Sequence, residues 1–116
     1  LGQSQRLRAN PGGDSEKNQN MSDVKSQLAQ HPDDFELHRK VDHGLATARR
    51  FAEVVELWDG YIANHPSDPR AYLERGGAKW HLKQRPQAIA DVEKACQLGM
   101  DKACADVPRM KARAGL

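Results

Sequence analysis

The sequence lacks most of the features that would mark a function at sight. It has no apolar run of about 18 residues, so it encodes no membrane-spanning helix. It has no excess of one charge: 18 Lys plus Arg stand against 16 Asp plus Glu, a formal net charge of +2, which gives no electrostatic case for nucleic acid. Alternation of apolar and polar residues is nowhere sustained, so no sheet is expected. No Gly-x-Ser-x-Gly nucleophile turn occurs, and Gly76-Gly77 is not followed by the Lys-Ser/Thr of a phosphate loop. The two cysteines are half of a thiolate zinc site. What remains is a chain of 116 residues, the size of one domain.

Residues 1–20 (LGQSQRLRANPGGDSEKNQN) have only Leu1, Leu7 and Ala9 as apolar residues, with Pro11-Gly12-Gly13 as a break. Such a stretch cannot bury enough apolar surface to offset its ordering entropy, and it is read as a disordered linker. It lacks the apolar middle of a signal peptide. Arg6 and Arg8 are read as part of the solvated tail, with the flank of an upstream membrane helix as the alternative. A chain opening on Leu1 is expected to be part of a longer one.

From residue 21 onward the sequence repeats itself at an offset of 34. Ala29-Gln30-His31-Pro32-Asp33-Asp34 aligns with Ala63-Asn64-His65-Pro66-Ser67-Asp68, identical at four of six positions. The same offset pairs Leu28 with Ile62, Val55 with Ile89, Val54 with Ala88 and Leu37 with Ala71. The units run over residues 35–68 and 69–102, and residues 21–34 look like the trailing half of an earlier one. Within the first unit Phe51, Val54, Val55, Trp58, Tyr61 and Ile62 lie on one face of a helix; within the second Ala88, Ile89, Val92, Ala95 and Cys96 repeat that face. Asp34 and Ser67 or Asp68 are candidate N-caps, Pro69 and Pro86 suit a first turn, and the His-Pro dipeptides close the trailing helices. The expected fold is all-α: antiparallel helix pairs stacked as a short right-handed solenoid of five to six helices. A capping helix is expected over about residues 101–113, stopped or kinked by Pro108, with Val107 and Met110 covering the last apolar face.

This unit resembles the tetratricopeptide repeat, a 34-residue helix–turn–helix. Tyr72, Gly76, Ala88 and Ala95 hold places of the family pattern in the second unit, and Trp58 and Pro66 do so in the first. His38, Asp42, Val54 and Tyr61 depart from the pattern, so the first unit is degenerate. Lys94-Ala95-Cys96-Gln97-Leu98 followed by Ala103-Cys104 is similar to the Sel1-like repeat of secreted, cysteine-rich bacterial proteins. That resemblance implies a Cys96–Cys104 disulfide across neighbouring helices, and Gly99 as a helix-ending residue is consistent with it. The alternative is two reduced, buried cysteines. Oxidised, the pair implies a periplasmic or other extracytoplasmic location, with tethering to a membrane protein upstream as one arrangement; reduced, a cytoplasmic one.

The five histidines do not suggest a metal: His31 and His65 belong to the turns, His38 and His43 do not share a helix face, and no third ligand stands near. His38 and Asp42, four apart, are a candidate pair. Asp23, Glu53, Glu56, Asp59, Glu74, Asp91 and Glu93 read as the solvated faces of helices. No cofactor and no catalysis are expected. The tetratricopeptide resemblance implies a groove built from the leading helices, with Glu36, Arg39, His43, Ala46 and Thr47 facing it from the first unit and Arg70, Leu73, Gly77, Trp80 and His81 from the second. Of these, Arg39, His43, Arg70, Leu73, Trp80 and His81 are the candidate partner contacts. The partner implied is a protein or peptide segment, with an apolar anchor near Trp80 and acidic character near Arg39 and Arg70. The competing readings are a spacer or self-association domain, which would pair as a homodimer through an exposed end at residues 21–30, and a regulatory domain of an upstream enzyme.

Overall fold

The computed structural model describes residues 23–116. The linker expected over residues 1–20 lies outside them. The described residues divide into two units, one of residues 23–34 and the other from Phe35 to Leu116. In the first, residues 23–30 form helix α1, and the next backbone N–H, of His31, returns to the Gln27 carbonyl at 2.8 Å. The second unit holds α2 (Phe35–Thr47), α3 (Phe51–Asn64), α4 (Pro69–His81), α5 (Arg85–Gln97) and α6 (Asp101–Ala114). The described residues are therefore all-helical, with six helices and no strand. Each helix from α2 to α6 packs on the next, giving a small repeat-like solenoid. The connections are so short that neighbours must run antiparallel. Helices α2 and α4 start 34 residues apart, as do α3 and α5.

Local chemistry explains these boundaries. Two equivalent turns close by the same device. After α2 the N–H groups of Arg49 and Arg50 return to the carbonyls of Ala46 and Leu45, at 2.9 and 2.8 Å. After α4 those of Lys83 and Gln84 return to Trp80 and Lys79, at 3.0 and 2.9 Å. This is the Schellman arrangement, which satisfies the last carbonyls of a helix by placing one residue in the left-handed region. Arg49 (φ 60°) and Lys83 (φ 66°) occupy that place without being glycine, while Gly99 (φ 104°) does so after α5.

The turn before α4 is built differently. Asp68 caps α4 by accepting the Arg70 backbone N–H at 3.0 Å, with Pro69 in the first turn. The Tyr61 hydroxyl donates to the other Asp68 oxygen at 2.7 Å, and the Tyr72 hydroxyl donates to the Pro66 carbonyl at 2.9 Å. The Arg70 guanidinium also grips Asp68, and these partners hold the Asp68 carboxyl down at about 2. Burial, together with the Asp68 carboxylate that accepts its proton, pushes the Tyr61 hydroxyl up to about 12.

The core differs between pairs. Between α2 and α3, Trp58 is fully buried among Phe35, His38 and Tyr61, with ring centroids 5.4–5.7 Å from its own. Its indole N–H donates to Asp42 at 2.7 Å. On α4 and α5 most of the buried residues are small: Ala71, Ala78, Ala88 and Ala95, with Val92, Ile89 and the larger Tyr72. Gly76 lets these helices approach closely, since a Cβ there would lie 3.1 Å from the Ala88 carbonyl oxygen and from Val92 Cγ2.

Two expectations are corrected. Asp91 is not on a solvated face: it is buried on α5 and receives Arg75 through two hydrogen bonds of 2.7 and 2.8 Å, with Lys79 at 3.1 Å. Arg75 reaches on to Asp59 of α3 at 2.8 Å, so one guanidinium ties three helices. Second, Pro108 does not stop α6, which continues through it to Ala114. A mid-helix proline forfeits a hydrogen bond and crowds the preceding turn. Here α6 is held against α5 on either side of Pro108, by buried Ala103 before it and by the Lys111–Glu93 ion pair after it.

Cys96, in the last turn of α5, and Cys104, in the first turn of α6, lie at disulfide distance, with sulfurs 1.94 Å and Cα atoms 4.6 Å apart. No helix among the described residues is long and apolar enough to cross a membrane.

Candidate functional site

The leading helices α2, α4 and α6 are separated by two clefts. The larger, about 370 Å³, lies between α4 and α6. Helix α4 contributes Leu73, Gly77, Trp80 and His81, spaced to share one face, and α5 contributes Val92 as the floor. Helix α6 forms the far wall with Asp106, Arg109, Met110 and Arg113. Leu73, Trp80 and Met110 are half-buried, so the lining is apolar at depth and cationic along the rim. Arg109 is engaged by Asp106 one turn back on its own helix. The Trp80 ring carries the Arg85 guanidinium 4.5 Å from its centroid, a cation–π contact.

The smaller cleft, about 190 Å³, lies between α2 and α4. Asp42 and Ala46 line it from α2, and Glu74, Gly77, Ala78 and His81 line it from α4. Phe51 and Val54 of α3 complete it, and the Phe51 ring stacks on His81 at 4.3 Å with the planes 5° apart. Burial and the neighbouring Asp42 carboxylate together raise the Glu74 carboxyl above the usual range. Gly77 and His81 belong to both clefts, which therefore meet on the surface of α4.

The structure brings Leu73, Trp80 and His81 together in the larger cleft, and it adds Gly77. Arg39 and His43 are exposed on α2 and line neither cleft. Arg70 lies elsewhere, between Asp68 and the Phe35 ring, whose centroid is 3.7 Å from its guanidinium carbon. Its charge is spent on the turn before α4.

Sequence reasoning missed the α6 wall: Asp106, Arg109 and Arg113. Treated only as a cap, α6 hides its correspondence to the other leading helices, because α6 starts 32 rather than 34 residues after α4. At that shorter offset Arg109 and Arg113 fall on the places of Gly77 and His81, so the signal was present once the frame is shifted. It also missed Asp42 and Glu74 as cleft residues: it reads Glu74 as a solvated face and Asp42 as a partner of His38, whereas Asp42 accepts the Trp58 indole N–H.

Among the described residues no three His, Cys, Asp or Glu side chains gather as metal ligands. No protein-family model matches the chain, and no curated protein is similar to it.

Proposed function

We propose that residues 35–116 are a protein-interaction module of the tetratricopeptide and Sel1-like kind, which holds a segment of a partner protein against α2, α4 and α6 and performs no chemistry itself. The observation that carries this reading is the cleft between α4 and α6. It presents a half-buried tryptophan, three further apolar side chains and two arginines on the rim, the residue types that anchor protein contacts. The Cys96–Cys104 pair supports placing the module in an oxidising, extracytoplasmic compartment, where such bonds persist.

Selection of displayed random peptides on the whole chain tests the proposal, with Trp80→Ala as the counter-target after circular dichroism confirms its helicity. Enriched peptides that bind the chain and lose at least about tenfold in affinity on Trp80→Ala support the groove, since truncating a tryptophan anchor costs about 2 kcal/mol or more. Failure to enrich any peptide, or equal binding to both targets, overturns it. In that case a mass that rises with concentration in sedimentation favours a self-association domain.

A further inference from the structure

The two clefts meet on α4 but carry opposite charge. In the α4–α6 cleft the acidic and strongly basic side chains are Asp106, Arg109 and Arg113. Asp106 engages Arg109, which leaves Arg113 as a cation with no ion-pair partner among the described residues. In the α2–α4 cleft the acidic side chains are Asp42 and Glu74, and no Lys or Arg lines it. Asp42 is fixed by the Trp58 indole, and Glu74 lies against Asp42. Arg39 and Lys102 act on Glu74 only through space, with no bond to it. One end of the track thus has a carboxylate pair to which no cation is bonded, and the other has a cation to which no carboxylate is bonded. Between them Gly77 leaves the α4 surface bare: a Cβ there would meet nothing within 4 Å. A main chain can therefore pass from one cleft to the other close to the helix backbone.

We infer that the groove reads a bipolar extended segment: a Lys or Arg in the α2–α4 cleft beside Asp42 and Glu74, a bulky apolar side chain against Leu73, Trp80 and Met110, and an Asp or Glu beside Arg113. The inference rests on the interaction-module reading and specifies its partner. Charge complementarity decides the occupant. A uniformly acidic segment would set a carboxylate against Glu74, and a uniformly basic one would set a cation against Arg113; like charges placed together are penalised more than opposite charges are rewarded. The apolar residue supplies affinity, and the flanking charges supply register and direction.

The test uses the full chain and four labelled peptides with a central Phe: cation-first bipolar, anion-first bipolar, uniformly acidic and uniformly basic. One bipolar order is expected to bind tightest. Glu74→Lys shifts preference to the uniformly acidic peptide, and Arg113→Glu shifts it to the uniformly basic one, each by about fivefold or more. The double variant Glu74→Lys/Arg113→Glu restores bipolar preference with the opposite chain order. All variants are checked for helicity first. Binding of the peptides with a ranking that neither substitution changes overturns the bipolar inference while leaving the groove standing. No binding of any peptide to the unaltered chain overturns both.

Discussion

The pairs α2–α3 and α4–α5 occupy the same 34-residue frame and fill it in opposite ways. At one place the first pair has Trp58 and the second Val92; facing these stand Asp42 and Gly76. A buried indole needs an acceptor for its N–H, and Asp42 is that acceptor. A valine needs none, so a glycine can stand opposite and the helices close up to backbone–side-chain contact. The reversal continues one step further out. Where the second pair has Arg75, Lys79 and Asp91, the first has Val41, Leu45 and Leu57. The repeat fixes where helices begin and which faces meet, and either an aromatic cluster with one hydrogen bond or a small-residue contact with an ionic clasp can fill the interface.

The comparison can be broken most forcefully at Asp91. Asp91→Ala leaves Arg75 and Lys79 without their shared carboxylate at a largely buried site and should destabilise by about 3–5 kcal/mol in urea unfolding followed by circular dichroism. Installing the first pair's residues together, Arg75→Val/Lys79→Leu/Asp91→Leu, should return most of that loss. A triple variant no more stable than Asp91→Ala would mean that the two interfaces are not interchangeable.

Glycine gives the next effect. Gly76→Ala crowds the Ala88 carbonyl and Val92 and should cost about 1–3 kcal/mol by the same measurement. Gly44→Ala, where the new methyl meets nothing within 4 Å, should instead stabilise by up to about 1 kcal/mol. Equal effects at the two positions would contradict the close approach assigned to α4 and α5 alone. The smallest expected effect is at the shared turn. Lys83→Gly relieves a left-handed lysine and should raise the melting temperature, with a gain of about 0.5–1 kcal/mol after the added freedom of the unfolded chain is counted.

What could be read in advance divides along the range of the interactions. Helix starts and stops depend on neighbours a few residues away, so the 34-residue offset, Pro69, Gly99 and a cap at Ser67 or Asp68 were legible, and the structure selects Asp68. Asp91 was not: a carboxylate on a helix reads as solvated unless the cations of another helix are known to face it, and Arg75 is 16 residues away. The partners of Arg70 were hidden for a related reason. Its position pointed to a groove, but Asp68 two residues earlier and the Phe35 ring of another helix claimed its guanidinium. Proline rules predicted a stop or a kink at Pro108, and α6 does not stop there. The cationic wall of the larger cleft was hidden by a two-residue change of period.

Among the described residues helix α6, like α2, packs chiefly on one neighbour, so it is an element from which unravelling can start. The Cys96–Cys104 bond sits at its base, closing a loop of sequence separation eight. A detached α6 cannot diffuse away; it returns from a local concentration set by that short loop. Amide protons of α6 should therefore exchange with solvent in brief openings that reclose. A protease that cuts at Gly99 would leave both fragments joined, so the wall of the larger cleft survives a nick in the connection that carries it.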